Sequence, residues 1–139
     1  MIVRAGRRTS GLALVWLMLA PISPHAAAQR HLSPAEANAL VIKALEPAGI
    51  KGLRGFSVEQ SAGARSDKFY VFEATWDNPG GSVVFGAYAV DRGTGDVWDA
   101  VVCREFTSEA LGKIQRAIRK RIGLSDKDYA RLKRLGPMC

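Results

Sequence analysis

The sequence is poor in the side chains on which most enzymes depend. It contains only two histidines in 139 residues, and only His31 lies outside the N-terminal segment that we predict to be removed. His31 would stand beside the new N-terminus, whereas a catalytic base must lie within hydrogen-bonding reach of its partner. No serine occupies the Gly-x-Ser-x-Gly motif of hydrolases, and one histidine with two separated cysteines does not form a zinc site. We therefore expect no enzyme activity, no metal and no cofactor.

Acidic residues are absent from the first 28 positions. Three arginines there precede the only long apolar run of the chain, residues 12–20, and small residues follow it. This order is typical of an export signal. The apolar run is too short to cross a bilayer, because a membrane-spanning helix needs about 20 apolar residues. We expect a signal peptide over residues 1–28.

Cleavage near residues 26–28 would leave residues 29–139 as a single exported domain. We expect this domain to be periplasmic or secreted, monomeric, and without a stable membrane span. An uncleaved signal anchor is the alternative. Pro21 and Pro24 disfavour it, because they interrupt any extension of the helix.

The cysteine content is low but even, which suits a small exported domain. The two cysteines are Cys103 and the last residue, Cys139. A disulfide bond between them would close a loop of about 36 residues and stabilise the fold by about 3–4 kcal/mol. A free thiol at the terminus is the alternative.

An amphipathic helix is predicted to begin after Ser33. Ser33 and Glu36 have the spacing of a capping box, and Pro34 suits the first helical position. Apolar residues then recur on one face, and Pro47 and Gly49 end the helix. The apolar residues of this face are Ala37, Leu40, Val41, Ala44 and Leu45.

Four strands and two further helices follow. The short connections between strands favour an antiparallel meander, and the third strand, apolar on both faces, should be central. Thr107 or Ser108 caps the next helix, and Ser125 with Asp128 forms a capping box for the last one, which ends at Gly136 and Pro137. We predict an α+β fold, with the N-terminal helix packed on the sheet. The predicted strands are residues 56–60, 68–76, 82–90 and 96–103, and the apolar stripe of the first C-terminal helix is Leu111, Ile114, Ile118 and Ile122.

Three acidic residues cluster around the hairpin between the last two predicted strands. They are Asp91, Asp96 and Asp99, which could hold calcium through oxygen ligands, although their spacing is not that of a calcium-binding loop. The simpler interpretation is that Asp91 accepts hydrogen bonds from its own turn.

Positive charge is concentrated in the last 27 residues. Residues 29–112 contain eight basic and eleven acidic side chains, whereas residues 113–139 contain nine basic and two acidic ones. This pattern indicates either a solvated helix face or a docking surface for an anionic partner, such as an acidic protein, lipid head groups or a cell-envelope polymer. Nucleic acid is not expected as a partner of an exported protein. The candidate binding residues are Arg116, Arg119, Lys120, Arg131 and Arg134.

The hairpin sequence at residues 88–98, Tyr-Ala-Val-Asp-Arg-Gly-Thr-Gly-Asp-Val-Trp, resembles the Tyr-x-Val-Asp-x-x-Thr-Gly-x-Val hairpin of PepSY-like domains. The helix after Ser33 is similar to the one that precedes the strands in that family. The resemblance covers residues 33–103 and leaves the basic helices and Cys139 outside. It implies a non-catalytic exocytoplasmic domain, of a class associated with restraining peptidases or with binding in the envelope.

Two functional hypotheses follow from these features. The first is a non-enzymatic exported binding module, inhibitory or accessory to an envelope protein such as a peptidase. The alternative is a periplasmic immunity protein that neutralises a toxin delivered by a neighbouring cell. Either the basic helices or an exposed aromatic face of the sheet would serve as the contact surface.

Overall fold

The computed structural model describes residues 31–62, 66–81 and 83–134. Within them, one helix, a five-stranded antiparallel sheet and two C-terminal helices follow in order, which confirms the α+β class. The signal peptide predicted over residues 1–28 lies outside the described residues. The elements are α1 (Pro34–Leu45), 3-10 turns (Glu46–Ala48 and Ile50–Gly52), β1 (Ser57–Gln60), β2 (Phe69–Thr75), β3 (Val84–Asp91), β4 (Val97–Asp99), β5 (Arg104–Glu105), α2 (Glu109–Arg121) and α3 (Asp126–Arg134).

Helix α1 begins as predicted. The Ser33 amide donates to the Glu36 carboxylate at 2.9 Å, and the Glu36 amide donates to the Ser33 hydroxyl at 3.3 Å, which completes the capping box. The five apolar residues of its predicted face are all buried. They pack on one face of the sheet with Phe72, Tyr88, Val90 and Val97, and this layer forms the core.

The sheet is a meander of order β1-β2-β3-β4-β5, with β3 in the centre as predicted. Phe72 lies opposite Tyr88, and Val90 lies opposite Val97, so that core residues of three strands share one face. The register between β2 and β3 shifts at Ala74 and Thr75, which marks an irregularity near the start of β3. The predicted start of this strand, Ser82, lies outside the described residues.

The prediction of four strands is wrong by one strand. Residues 96–103 do not form a single strand, because β4 ends at Asp99 and the chain turns back to form β5. The Asp99 carboxylate accepts hydrogen bonds from the amides of Val101 and Val102, at 3.0 and 3.1 Å. This local turn competes successfully with the strand preference of the two valines. Cys103, in the turn, has a positive φ of 56°.

The C-terminal helices begin where the sequence indicates. The Ser108 hydroxyl caps α2 by accepting from the Leu111 amide, and the Ser125 hydroxyl accepts from the Asp128 amide at the start of α3. The apolar stripe predicted for α2 is wrong at one position. Ile114 is 39% exposed, while the polar Gln115 is buried beside Leu111. The predicted end of α3 at residues 136–137 lies outside the described residues.

Among the described residues, no helix has the length and apolar character needed to cross a membrane.

Candidate partner-binding surfaces

The hairpin between β3 and β4 uses its first carboxylate internally. The Asp91 side chain accepts hydrogen bonds from the amides of Gly93 and Thr94, at 2.8 and 3.0 Å. This confirms the structural interpretation of Asp91 as a turn residue. In the described parts of the chain, no group of three or more histidine, cysteine, aspartate or glutamate residues is placed to hold a metal ion. His31 is exposed at the surface.

A buried carboxylate, that of Asp96, connects the hairpin to both C-terminal helices. Asp96 is only 5% exposed. One of its oxygens lies 3.4 Å from a terminal nitrogen of Arg119 in α2 and accepts a hydrogen bond from the Tyr129 hydroxyl in α3, at 3.1 Å. The Arg119 guanidinium also lies 3.9 Å from the centre of the Tyr129 ring. This carboxylate therefore joins three elements at one point.

Two backbone carbonyls of the same turn bind α2 directly. The buried Gln115 amide donates to the Gly95 carbonyl at 2.9 Å, and Arg119 donates to the Thr94 carbonyl at 3.2 Å. Gly95 has a φ of +76°, and a Cβ atom there would lie 3.4 Å from Leu40 of α1. The turn is therefore packed between α1 and α2.

The five predicted binding residues lie in different environments. Arg119 points inward to Asp96, and only 12% of its side chain is exposed, so it supports the fold. Arg131 is exposed but lies 3.4 Å from Asp128 of its own helix. The remaining three residues are exposed, and their side chains form no ion pair or hydrogen bond with any residue that the structure describes. These three are Arg116, Lys120 and Arg134.

Other basic side chains of the two helices attach them to the body. Arg121 of α2 contacts Glu36 of α1 at 2.6 Å, and Lys133 of α3 contacts Glu105 of β5 at the same distance. Desolvation acts to lower the pKa of Lys133, but hydrogen bonds to Glu105 and Tyr129 favour its charged amine, and the net effect is a raised pKa. Burial raises the pKa of the Tyr129 phenol, so the neutral hydroxyl remains a donor to Asp96. These contacts tie α2 to α1 and α3 to β5.

A groove of about 310 Å³ lies where α2 ends and α3 begins. We call it the α2–α3 groove. Arg116 and Lys120 lie one helical turn apart on α2, which places them on the same side of the helix. The residues that line the groove are Arg116, Arg119, Lys120, Leu124, Ser125 and Asp126.

A second surface, which the sequence analysis missed, is apolar. The Ala100 amide donates to the Ala87 carbonyl at 2.9 Å, so the β4–β5 turn continues beside the start of β3. Five large apolar side chains on these two neighbouring segments are 46–73% exposed, and we call this set of residues the apolar corner. The sequence pattern predicts strands that include these four valines, and it gives no indication that their side chains are exposed. The corner comprises Val83, Val84, Phe85, Val101 and Val102.

The expected aromatic contact face has a limited counterpart in the structure. Phe72 and Tyr88 are buried in the core, and Tyr70, Trp76 and Trp98 are partly buried. Phe85, at the apolar corner, is 46% exposed. Of these six aromatic side chains, Phe72 and Tyr88 lie in the core and Tyr70 packs against it.

The predicted disulfide bond between Cys103 and Cys139 stays a prediction, because Cys139 lies outside the described residues.

No protein-family model matches the chain, and no curated protein sequence matches it. The resemblance to PepSY-like domains therefore stays a prediction. The fold is similar to that of a chain in the solved structure of a type VI secretion system effector-immunity complex from Pseudomonas protegens. The similarity covers 70% of this chain and 83% of that chain, with a TM-score of 0.60 and 23% sequence identity. At this level of identity, the comparison shows that the two chains share a fold.

Proposed function

We propose that this protein is an immunity protein, which binds a toxin delivered by a neighbouring cell and so neutralises it. The observation that carries the proposal is the fold that it shares with a chain of an effector-immunity complex. Fold alone does not define function, because one fold can carry many activities. The choice between the two roles in such a complex, toxin and immunity protein, must therefore rest on the residues of this chain.

The residue content favours the immunity role over the toxin role. A toxin that acts as an enzyme needs an acid, base or nucleophile held in a defined geometry. Here His31 is exposed, and Asp91 and Asp96 are engaged in hydrogen bonds that hold the turn and the helices. A neutralising protein needs an exposed binding surface, and α2 and α3 present exposed basic side chains.

The predicted export signal gives the proposal a location. A periplasmic immunity protein would meet a toxin that acts in the periplasm or on the envelope, before the toxin reaches its target. The predicted disulfide bond suits this compartment, because disulfides persist where the environment is oxidising.

A competition assay between cells tests the proposal. A strain of the encoding species that lacks this gene should be killed by its parent on contact and should survive beside a parent with an inactive type VI secretion system. The full-length chain, supplied from a plasmid, should restore survival. Equal survival of the deletion strain and the parent under attack would contradict the immunity role.

The hypothesis of an inhibitory module for an envelope peptidase gains no support from the comparisons and stays a prediction. The same deletion strain separates the two hypotheses. A peptidase inhibitor should alter envelope proteolysis in cells grown without an attacker, whereas an immunity protein should matter only under attack.

A further inference from the structure

We propose that the α2–α3 groove is the surface that holds the toxin, and that its occupant is an acidic segment of the toxin. This inference rests on the proposed immunity function and adds the site and the chemistry of the partner. It rests on a division of the basic side chains of α2 and α3 into those that form ion pairs within the protein and those that do not.

The nine basic residues of α2 and α3 fall into two groups. Five form ion pairs with described carboxylates: Lys113, Arg119, Arg121, Arg131 and Lys133. The side chains of the other four form no ion pair or hydrogen bond within the described ranges: Arg116, Lys120, Lys127 and Arg134.

Of these four residues, Arg116 and Lys120 line one cavity. Two cations that face a concave surface present a stronger field than isolated cations on a convex surface, because the low-dielectric walls focus it. Arg116 offers a planar set of donors that matches a carboxylate, and Lys120 adds a second charge one turn away. The groove is therefore suited to a segment that carries more than one carboxylate.

Contacts within the protein brace the helices beside the groove. Arg119 lies between the two helices and is held by Asp96 and Tyr129, and Arg121 ties α2 to α1 through Glu36. A prearranged surface loses little conformational freedom on binding, so a larger part of the interaction energy appears as affinity.

One acidic residue, Asp126, also lines the groove and opposes this attraction. It lies in the first turn of α3, where a negative charge is favoured by the helix dipole, which explains its presence. If the occupant is acidic, replacing Asp126 by asparagine should tighten binding. If the occupant is basic, the same replacement should weaken it.

The apolar corner is the alternative surface that could hold the toxin, and the experiment below includes a variant that tests it. It carries no feature that indicates the chemistry of an occupant, whereas the groove carries an excess of one charge. A partner held at the corner would be insensitive to the charges of the groove.

The experiment measures protection of the deletion strain by four variants of the full-length chain. The groove variant is Arg116→Glu/Lys120→Glu. The control, Lys127→Glu/Arg134→Glu, makes the same change in net charge at exposed positions that do not line the groove. The other two are Asp126→Asn and Val101→Ser/Val102→Ser. Thermal unfolding of each purified variant and its periplasmic level by immunoblot ensure that only folded, exported protein is compared.

The groove variant should lower survival under attack by about tenfold or more, as expected for the loss of a complementary charge pair, while the control protects like the natural chain. Asp126→Asn should protect at lower expression than the natural chain. Full protection by the groove variant, or loss only in the valine variant, would overturn the inference and leave the immunity function intact. Survival of the deletion strain without any chain would overturn both. Should the groove variant fold poorly, Arg116→Gln/Lys120→Gln provides the same comparison with a smaller expected loss.

Discussion

A terminal nitrogen of Arg119 lies 3.4 Å from the carboxylate of Asp96, and the two side chains are only 12% and 7% exposed. The same carboxylate accepts a hydrogen bond from the hydroxyl of Tyr129. Both helices that carry the basic surface are therefore fixed to the hairpin through one buried acid. Removal of the acid would leave a cation and a hydroxyl without their acceptor.

We expect Asp96→Ala to lower the free energy of unfolding by about 3 kcal/mol, because breaking a buried ion pair leaves an uncompensated charge. Urea unfolding of the purified protein measures the change. Arg131→Ala is the matched control, since it removes an exposed ion pair with Asp128, and it should cost less than about 1 kcal/mol. Similar losses in the two variants would contradict the anchoring role of Asp96.

The turn after β4 should depend on the Asp99 carboxylate and not on the valine side chains that follow it. Asp99→Ala removes the acceptor of two amides and should lower the free energy of unfolding by about 1 kcal/mol. Val101→Ser/Val102→Ser changes two exposed side chains and should alter it by less than about 0.5 kcal/mol per site. A larger loss in the valine variant than in Asp99→Ala would show that the apolar corner is part of the core.

Deprotonation of Tyr88 should lower the free energy of unfolding at alkaline pH. Burial, with the nearby Asp99 charge, raises the pKa of Tyr88 from 10.0 to about 12. The folded protein thus holds this proton more tightly than the unfolded chain. The free energy of unfolding should therefore decrease as the pH rises from 10 to about 12, whereas below pH 10 Tyr88 is protonated in both states and adds no pH dependence.

Denaturant unfolding of Tyr88→Phe checks this pH dependence. The variant should lose less stability than the natural chain over the same alkaline range. Asp99→Asn, which retains an oxygen acceptor for the turn, should lower the pKa of Tyr88 slightly, because burial is the larger cause. Equal alkaline losses in Tyr88→Phe and the natural chain would argue against a shifted Tyr88.

The predicted bond between Cys103 and Cys139 can be tested by mass spectrometry of exported protein alkylated without reduction. We expect neither cysteine to be alkylated, and Cys139→Ser to lower the free energy of unfolding by about 3–4 kcal/mol. Two alkylated cysteines would exclude the bridge and favour the free-thiol alternative.

Local signals explain the elements that the sequence predicted well. The capping box of Ser33 and Glu36, the turn at Asp91 and the cap at Ser125 each depend on residues within a few positions of one another. The four-strand prediction was wrong because Val101 and Val102 have the side chains of a strand. The hydrogen bonds that prevent the strand come from Asp99, two and three positions earlier.

The candidate site was harder to predict, because its division into structural and available cations depends on distant contacts. Arg116 and Arg119 look alike in the sequence, and both line the groove, yet Arg119 is paired with Asp96 of another element, whereas Arg116 forms no ion pair with a described residue. Gln115 interrupts the expected apolar stripe, and its burial makes sense only once the Gly95 carbonyl is placed opposite it. Nothing in the local pattern of α2 distinguishes these roles.

The meander order of the sheet also has a kinetic consequence. Every strand pairs with the strand next to it in sequence, so the sheet can grow by adding one hairpin at a time. Short sequence separations between contacting strands favour fast folding, because little loop entropy is lost before each contact forms. If the chain crosses a membrane unfolded, as the predicted export signal implies, we expect the meander order to let the sheet form soon after the chain emerges.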